Sequence, residues 1–475
     1  MTRLASLVIA AGLVAVPVAQ ALAQNDGDGD GRPRPGVALT IYNNDLGVVK
    51  DTRRLQIPDP ASTIRFTDVA KQIDPTTVSF TDLTVPATRI IEQNYEYDLV
   101  SAEKLLDKYI DRRVAVITDD GSRFVGTLLS YDNRQLIIND GEQLHMIQRQ
   151  DNVQSISFAE LPENLLTRPT LVWRIATPDP GEHLARVTYQ TGGINWKADY
   201  VALIAADDTQ VDLTGWVTIN NQSGARYEDA AIKLIAGDVR TVEDQQVPKT
   251  AERRRMMVEA DAAMARQFQE KGFFEYHMYT LGRRTTVNEN QVKQIQLLSA
   301  EDVPVVKRYV FEPGGPHWHR RYGDKDEYKV NVYIELTNNQ ASNLGMPLPR
   351  GIVRVYKADA DEQLEFVGED RIDHTPKGED VKLYIGDAFD LVGEKKITAQ
   401  DQGKRWRKQT IEIELRNHKD QAATILVREH LGHGNWKITD ASHAFEKDSA
   451  HVVEFDVEVP AEGRATLKYT VHYSW

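Results

Sequence analysis

Short alternating runs of apolar and polar residues dominate the chain from Val37 to its end. In the run VNVYIELTNNQ, apolar side chains recur at every second position, from Val330 to Leu336, and the runs IEIELRN and VVEFDVEVP alternate in the same way. Such alternation is typical of antiparallel strands with one buried face and one wet face. Clusters of Asn, Asp, Gly and Pro separate the runs. We therefore predict a mainly β protein built from antiparallel, immunoglobulin-like β-sandwich domains.

Two segments have a helical pattern instead. In SAEKLLDKYIDRR, residues 101–113, Ser101 is a suitable N-cap, and the apolar residues that follow are spaced to share one helix face. That face carries Leu105, Leu106, Tyr109 and Ile110. The second segment is charged, rich in Ala and Met, and without Gly over most of its length, which predicts a helical connector at residues 249–275.

A compact unit of five short strands follows the first helix, at residues 113–158. Asp-Gly and Asp-Asn pairs join these strands, and such pairs favour tight reversals. The stretch DDGSRFVGTLLSYDNRQLII resembles the strand order of Sm-like and SH3-like barrels. The RNA-contacting pattern of the Sm-like family is not met at Asp132-Asn133-Arg134-Gln135. We therefore interpret the unit as an inserted small barrel with a structural or protein-docking role.

One further pattern recurs three times, as VTINNQS, IELTNNQAS and IEIELRNHKDQ. Each is an alternating strand that ends in Asn at a polar turn. Asn tolerates a positive φ and can bond its own turn. Repeated immunoglobulin-like hairpins are the favoured interpretation, and independent use of good turn chemistry is the alternative.

The first residues have the pattern of a secretory signal peptide. Arg3 precedes an apolar run from Leu4 to Val18, and Ala21-Leu22-Ala23 is a small-x-small cleavage site. This predicts export, to the periplasm or the cell exterior, with no transmembrane helix in the mature chain. The predicted organisation is a signal peptide at 1–23, a flexible leader at 24–36, an N-terminal β domain at 37–100, a helix plus small β-barrel at 101–160, a β-sandwich at 161–248, the helical connector at 249–275 and a C-terminal β-sandwich at 276–475.

Composition narrows the chemistry. The chain has no cysteine, so disulfides, thiol catalysis and thiolate metal sites are all excluded. Its formal net charge of −14 repels phosphate backbones, which disfavours nucleic acid as a partner. The sequence has no Gly-x-Ser-x-Gly, no His-Glu-x-x-His and no phosphate loop. We therefore predict no catalytic residues and no cofactor.

The stretch EPGGPHWHRRYGDKDE, residues 312–327, is the most unusual in the chain. His317 and His319 are two residues apart, a spacing that on a strand places both imidazoles on one face and could serve a metal. The preceding Gly-Gly-Pro and the adjacent cations favour a loop instead. An exposed Trp318 beside Arg320 and Arg321 is the kind of group that contacts a protein or a glycan.

The second half of the chain resembles exported bacterial proteins with the domain of unknown function 4139. A Tyr-x-Thr-x-Gly turn, a Trp-x-Ala-x-Tyr strand and a Gly-Trp strand that ends near Asn carry the resemblance, which covers roughly residues 168–475. The motif residues are Tyr189, Gly193, Trp196, Tyr200, Trp216 and Asn220. The resemblance implies a β-rich exported protein and supplies no reaction, cofactor or catalytic residue. We expect the aromatic motif residues to pack in a core.

These observations favour a non-catalytic module that binds an envelope protein or a glycan through sheet edges and loops. One alternative is a hydrolase of envelope polymers that uses carboxylates or a His-bound metal. A second is an outer-membrane β-barrel, because LKYTVHYSW at the C-terminus alternates like a barrel strand.

Overall fold

The computed structural model describes residues 35–475, except 99, 151, 161, 163–164, 238, 241–266, 314–324, 360 and 433–434, and except the side chains of 325–327. The predicted signal peptide and most of the predicted leader lie outside the described residues. Strands make up 67% and helices 3% of the described residues, which confirms the mainly β class.

The strands in the part before residue 240 alternate in burial, as the sequence pattern predicts. They are β1 (Gly36–Tyr42), β2 (Gly47–Ile57), β3 (Ala61–Thr67), β4 (Ile73–Asp82), β5 (Arg89–Glu96), β6 (Arg113–Thr118), β7 (Arg123–Tyr131), β8 (Gln135–Asn139), β9 (Leu144–Gln148), β10 (Val153–Phe158), β11 (Thr170–Ala176), β12 (Gly181–Thr191), β13 (Ile194–Ile204), β14 (Gln210–Asn221) and β15 (Tyr227–Ala236).

The strands that follow include one of 23 residues. They are β16 (Phe268–Phe273), β17 (Tyr276–Leu281), β18 (Thr285–Val287), β19 (Gln291–Pro304), β20 (Val306–Phe311), β21 (Lys325–Thr337), β22 (Gly351–Ala358), β23 (Leu364–Ile372), β24 (Asp380–Gln402), β25 (Trp406–Asn417), β26 (Ala423–His430), β27 (Asn435–Ala441), β28 (Glu446–Lys447), β29 (Val452–Val459) and β30 (Arg464–Ser474).

Three sheets surround the first and largest core. One has eight strands in the order β16-β17-β15-β1-β2-β12-β4, with β18 paired to β15; the others are β3-β11-β5 and β19-β14-β13-β22-β23. Strands from residues 37–100 therefore pair with strands from residues 161–248, and their apolar side chains share one core. Two of these sheets are mixed, because β1 pairs with β15 and β13 pairs with β22 in parallel, whereas β3-β11-β5 is antiparallel.

The predicted first helix is present and shorter than its sequence pattern. Helix α1 (Ala102–Lys108) begins after Ser101, whose Oγ accepts a hydrogen bond from the Lys104 amide at 3.2 Å. Leu106 and Tyr109 are buried against the five-stranded unit, as expected. Ile110 lies beyond the last helical residue and is 39% exposed, so its assignment to the buried face was wrong.

The unit at residues 113–158 is one antiparallel sheet in the order β10-β6-β7-β8-β9. Its core includes Val116, Leu128 and Ile138, together with the helix residues above. No ladder joins β9 to β10 in the part of the chain that the structure describes, so the sheet is open. The predicted closure into a small barrel is therefore not found.

A nine-stranded sheet forms the second core. Its order is β27-β30-β25-β24-β21-β20-β26-β29-β28, and β20 and β26 pair in parallel. The sheet curls so that β29 packs over β30, where the Phe455 and Tyr469 rings lie 5.3 Å apart. Strand β21 links the two cores: Val330 packs in the second, whereas Ile334 and Leu336 pack in the first.

The predicted helical connector at 249–275 lies mostly outside the described residues. Its described end is β16, which pairs with β17 from Phe268 opposite Leu281. This end is therefore a strand of the eight-stranded sheet, not helix. The ladder gives it backbone partners, and Phe268 is buried in the first core.

Candidate functional site

An aromatic pair lies on the outer face of the nine-stranded sheet, at the turn between β24 and β25. The Gly403 amide donates to the Trp406 carbonyl at 2.8 Å, which closes the turn. The Trp406 indole stacks on the His472 imidazole, with ring centroids 5.7 Å apart and an interplanar angle of 19°. Trp406 remains 38% exposed, so the outer surface of the pair faces solvent.

Basic side chains surround this pair. Lys408 on β25 and Lys437 on β27 are both cross-strand partners of His472, and such partners project from the same face of a sheet. Lys404 and Arg405 are exposed on the turn. The Trp475 amide donates to the Arg405 carbonyl at 3.1 Å, and Trp475 is 58% exposed. We call Lys404, Arg405, Trp406, Lys408, Lys437, His472 and Trp475 the Trp406 surface.

The Trp406 surface is positive in a protein whose net charge is −14. Two carboxylates, Asp401 opposite Lys408 and Asp440 opposite Thr470, lie on the neighbouring strands, against four cationic side chains of the surface. The local excess of positive charge attracts anions and repels the cations that the rest of the protein attracts. The flat aromatic faces add a large contact area that needs little ordering on binding. The surface is therefore suited to an anionic ligand with apolar faces.

Part of this surface is visible in the sequence as a cluster of cations around one tryptophan. The run GKRWRK, residues 403–408, places four cations around one tryptophan, and strand alternation puts Trp406 and Lys408 on the same face. His472 and Lys437 join them only through the pairing of β25, β30 and β27. No local pattern predicts that pairing.

The residues that the sequence pattern selected for binding are different ones. His317, Trp318, His319, Arg320 and Arg321 are all outside the described residues, so the metal and contact hypotheses for them stay predictions. Within the described ranges, no three His, Asp or Glu side chains are grouped as metal ligands would be.

A buried carboxylate–histidine pair lies at the edge of the eight-stranded sheet. His183 Nδ1 is 2.5 Å from Asp82 Oδ2, and its Nε2 is 2.8 Å from the Asp179 carbonyl. Burial would raise the pKa of Asp82, but hydrogen bonds from the Val85 amide, His183 and the Thr84 amide hold it below its ordinary value. Both ring nitrogens of His183 lie within hydrogen-bond distance of oxygen atoms, so the ring links β4 to the turn before β12.

A second buried cluster joins three strands of the nine-stranded sheet. Lys395 Nζ lies 2.5 Å from Glu429 Oε2, and the Tyr469 hydroxyl donates to the same oxygen at 2.8 Å. Burial raises the pKa of Tyr469, and the charge of Glu429 adds to this effect. The Lys395 and Glu429 side chains are 2% and 0% exposed. Both clusters are enclosed by the surrounding strands, and each of them connects neighbouring strands.

Three aromatic residues of the sequence motif are buried and hydrogen-bonded, as expected for core packing. Trp196 Nε1 donates to the Ile235 carbonyl at 3.1 Å, and the Tyr200 hydroxyl donates to the Pro349 carbonyl at 2.7 Å. The Tyr189 hydroxyl accepts from the Ala70 amide at 3.4 Å. Each of these bonds reaches a distant segment, so the motif joins the strands of the first core.

The other motif residues have different environments. Gly193 has φ = +70°, and a Cβ there would collide with Gln72 and with the Gln222 carbonyl. The turn therefore requires glycine. Trp216 is half-buried on the other face of β14 and does not belong to the core cluster. Asn220 is also half-buried, and the fully buried turn amide belongs to its neighbour, Asn221.

The three repeated Asn-ending strands share one side-chain arrangement. Asn221, Asn338 and Asn417 are 0–1% exposed, and none has a positive φ. Each Nδ2 donates to carbonyls on separate segments, and each Oδ1 accepts an amide two to seven residues later. The asparagines recur because a buried amide can tie three backbone segments together, not because the turn needs a left-handed residue.

The family described as Domain of unknown function (DUF4139) matches residues 185–475, which is more than half of the chain. The chain belongs to this family. A search among curated proteins gave no match.

The DUF4139 region contains most of the features above. It includes the motif residues, the three asparagine amides, the Lys395 cluster and the whole Trp406 surface. Helix α1 and the five-stranded unit precede it. The described helices of this DUF4139 protein are all too short or too polar to cross a membrane.

Proposed function

We propose that this protein is an exported, non-catalytic module of the cell envelope that binds an acidic glycan through the Trp406 surface. The stacked Trp406–His472 pair, flanked by four cations in an otherwise acidic protein, carries the proposal. Sugar rings have apolar faces that pack on flat aromatic rings, and carboxylates on the same polymer would meet the lysines and the arginine.

The shape of the surface favours binding to a long polymer. Its residues lie on three adjacent strands and on one turn, so they form a strip rather than an enclosed cavity. Once one segment of a polymer is bound, its neighbouring segments are held close to the protein at a raised effective concentration, so further contacts strengthen the binding. The surface reaches the sheet edge at β27, but what it presents there and on the neighbouring strands is cations and flat aromatic rings, which suit a charged polymer with apolar faces.

Catalysis is the weaker proposal. The two buried clusters with acid–base chemistry, Asp82–His183 and Lys395–Glu429–Tyr469, have side chains that are only 0–2% exposed. A general acid or base must come within hydrogen-bond distance of its substrate. Enclosed groups in a packed core do not meet that condition. We therefore favour binding over hydrolysis.

We also propose finer fold relationships. In the five-stranded unit, β10 pairs beside β6, so the last strand lies next to the first, an order that supports an SH3-like or Sm-like relationship. The two strand-rich cores and the repeated asparagine amides support immunoglobulin-like sandwiches. On this proposal, the five-stranded unit is a structural or docking insert.

Export rests on the sequence of residues 1–23. Fused to a phosphatase that is active only after its disulfides form outside the cytoplasm, this segment is expected to give an active reporter, and the secreted protein should begin at Gln24. A matched Leu13→Arg fusion, which interrupts the apolar run, should be inactive. Equal activity of the two fusions would contradict export by this segment.

Glycan binding is tested with alginate, a polyuronate, and with dextran, a neutral polymer. In affinity electrophoresis at low salt, the protein is expected to be retarded by alginate and not by dextran. Trp406→Ala should weaken retardation about tenfold, which corresponds to about 1.4 kcal/mol of binding free energy. Lys404→Gln with Arg405→Gln should weaken it similarly and reduce its salt dependence.

Two matched controls accompany these variants. Phe389→Ala removes an aromatic side chain that is 95% exposed elsewhere on β24, and Arg65→Gln with Lys271→Gln removes two exposed cations from other sheets. Both controls should bind alginate as the unmodified protein does. Equal retardation by the two polymers, or equal loss in controls and test variants, would refute the proposal. If the protein shortened the alginate chains, the non-catalytic proposal would be wrong and the protein would be an enzyme that cleaves the polymer.

A further inference from the structure

A small polar pocket lies on the outer face of the eight-stranded sheet, far along the chain from the residues of the Trp406 surface. Three cations from three separate segments line it: Lys50 on β2, Arg186 on β12 and Arg284 from the loop between β17 and β18. Thr52 and residues 35–38 complete the lining. The pocket is half-open to solvent, so it can admit the end of a larger molecule.

The ladder register explains why these side chains converge. Thr52 is paired with Gly36 on one side and with Arg186 on the other, and Lys50 is two residues from Thr52 on the same strand. Direct cross-strand partners, and residues two apart on one strand, project from the same face. Lys50, Thr52 and Arg186 therefore lie together on the outer face, opposite the buried Val49 and Leu55.

Arg284 is fixed above this row. Its Nε donates to the Asp229 carbonyl at 2.7 Å and to the Asp229 carboxylate at 3.1 Å, and Nη2 donates to the Val37 carbonyl at 3.0 Å. Gly36 has φ = +153°, and a Cβ there would be 2.9 Å from Nη2. Glycine at position 36 therefore gives the guanidinium room to approach the strand.

Charge at the pocket is unbalanced. Asp229 pairs with Arg284, but Lys50 and Arg186 form no ion pair with any residue that the structure describes. The next cation on the same face of β2, Arg54, is already paired with Glu182 at 2.6 Å. Lys50, Arg186 and the remaining guanidinium hydrogens are donors only, and the Thr52 hydroxyl can also donate. The pocket therefore has the chemistry of an oxyanion site.

We propose that this pocket binds a carboxylate presented at the end of a larger molecule. A planar carboxylate can accept two parallel hydrogen bonds from the fork of Arg186, and Lys50 adds a point charge beside it. The carboxylate could come from another molecule or from Asp26, Asp28 and Asp30 of this chain, of which Asp30 precedes Pro35 by about 17 Å of extended backbone. The site is independent of the proposed glycan surface.

The probe is a fluorescent peptide with the sequence Asp-Gly-Asp-Gly-Asp, with Asn-Gly-Asn-Gly-Asn as its uncharged match. Fluorescence anisotropy with the full chain at low salt should detect the Asp peptide and not the Asn peptide. Lys50→Gln with Arg186→Gln should weaken binding by about tenfold or more, because two charge-assisted contacts are lost. Arg65→Gln with Lys271→Gln changes the net charge equally and should leave the affinity unchanged.

Two further experiments identify the chemical class of the ligand and the molecule that supplies it. Sodium acetate should displace the Asp peptide, and displacement by inorganic phosphate alone at equal ionic strength would overturn the carboxylate assignment. Deletion of residues 24–34 should tighten peptide binding severalfold if the chain's own aspartates are the ligand, and leave it unchanged if the ligand is another molecule.

The proposal fails if the Asp and Asn peptides bind equally. It also fails if the Lys50 and Arg186 double variant binds the Asp peptide as the unmodified protein does. Both positions are at the surface of the sheet, so thermal unfolding of the double variant should match that of the control. A third variant, Gly36→Ala, should displace Arg284 and weaken binding while Lys50 and Arg186 are retained.

Discussion

Replacement of Lys395 by alanine is expected to lower the free energy of unfolding by about 3–5 kcal/mol, because it leaves the Glu429 charge in a core without its cation. Lys395 and Glu429 are 2% and 0% exposed and are 2.5 Å apart, and Tyr469 donates to the same carboxylate. Urea unfolding followed by tryptophan fluorescence measures the loss as a lower midpoint.

The double variant Lys395→Met with Glu429→Leu separates the buried charge from lost packing. An apolar replacement of both partners removes the charge, so at least half of the stability should return. Arg464→Ala is the matched control, since the Arg464–Glu414 pair of the same sheet is 73% and 34% exposed. That change should cost about 0–1 kcal/mol. A loss from Lys395→Ala no larger than in this control would show that the pair is not important for stability.

Trp196→Ala is expected to lower the free energy of unfolding of the first core by about 3–5 kcal/mol. The indole is 1% exposed, lies 6.2 Å from the Tyr279 ring in an edge contact, and donates to the Ile235 carbonyl. Trp196 and Ile235 are on strands of different sheets. The substitution therefore leaves a cavity where two sheets meet and removes the partner of a buried carbonyl.

Trp196→Phe divides this loss into its parts. It keeps most of the ring volume and removes the N–H donor, so we expect an intermediate loss of about 1–3 kcal/mol. Trp406→Ala, in the exposed aromatic pair, should cost at most about 1 kcal/mol. Denaturant unfolding of the three variants under one set of conditions gives the comparison. Equal losses for Trp196→Ala and Trp406→Ala would contradict the assignment of Trp196 to the core.

Strand β21 shows both what an alternating sequence pattern predicts about burial and what it does not. The pattern places Val330, Val332, Ile334 and Leu336 on one face, and three of them are buried. Val332 is half-buried, because the register shifts beside it. There the strand passes from the second core, which contains Val330, to the first, which contains Ile334 and Leu336. A period of two predicts which residues share a face, but not that one strand serves two cores.

In the asparagine repeats, too, the sequence shows the pattern but only the tertiary contacts explain it. The sequence alone places an Asn at the end of each of three alternating strands. The reason for each Asn lies in tertiary contacts, since Asn417 donates to the Gln421 and Pro460 carbonyls, which belong to different segments. The sequence motif names Asn220, whereas the fold buries the amide of its neighbour, Asn221. Neighbouring amides in a sequence are equivalent until the fold buries one of them.

By itself the sequence determined the β class, the Ser101 cap of α1, the buried faces of most strands and the DUF4139 family. These properties depend on the spacing of apolar residues, on capping chemistry and on the order of motifs, all of which can be read along the sequence. Only the tertiary structure decided the parallel pairs, the open edge of the five-stranded unit, the Trp406–His472 stack and the convergence of Lys50, Arg186 and Arg284. Each of these depends on which distant strands pair, and that choice comes from the summed burial of whole sheets rather than from any short pattern.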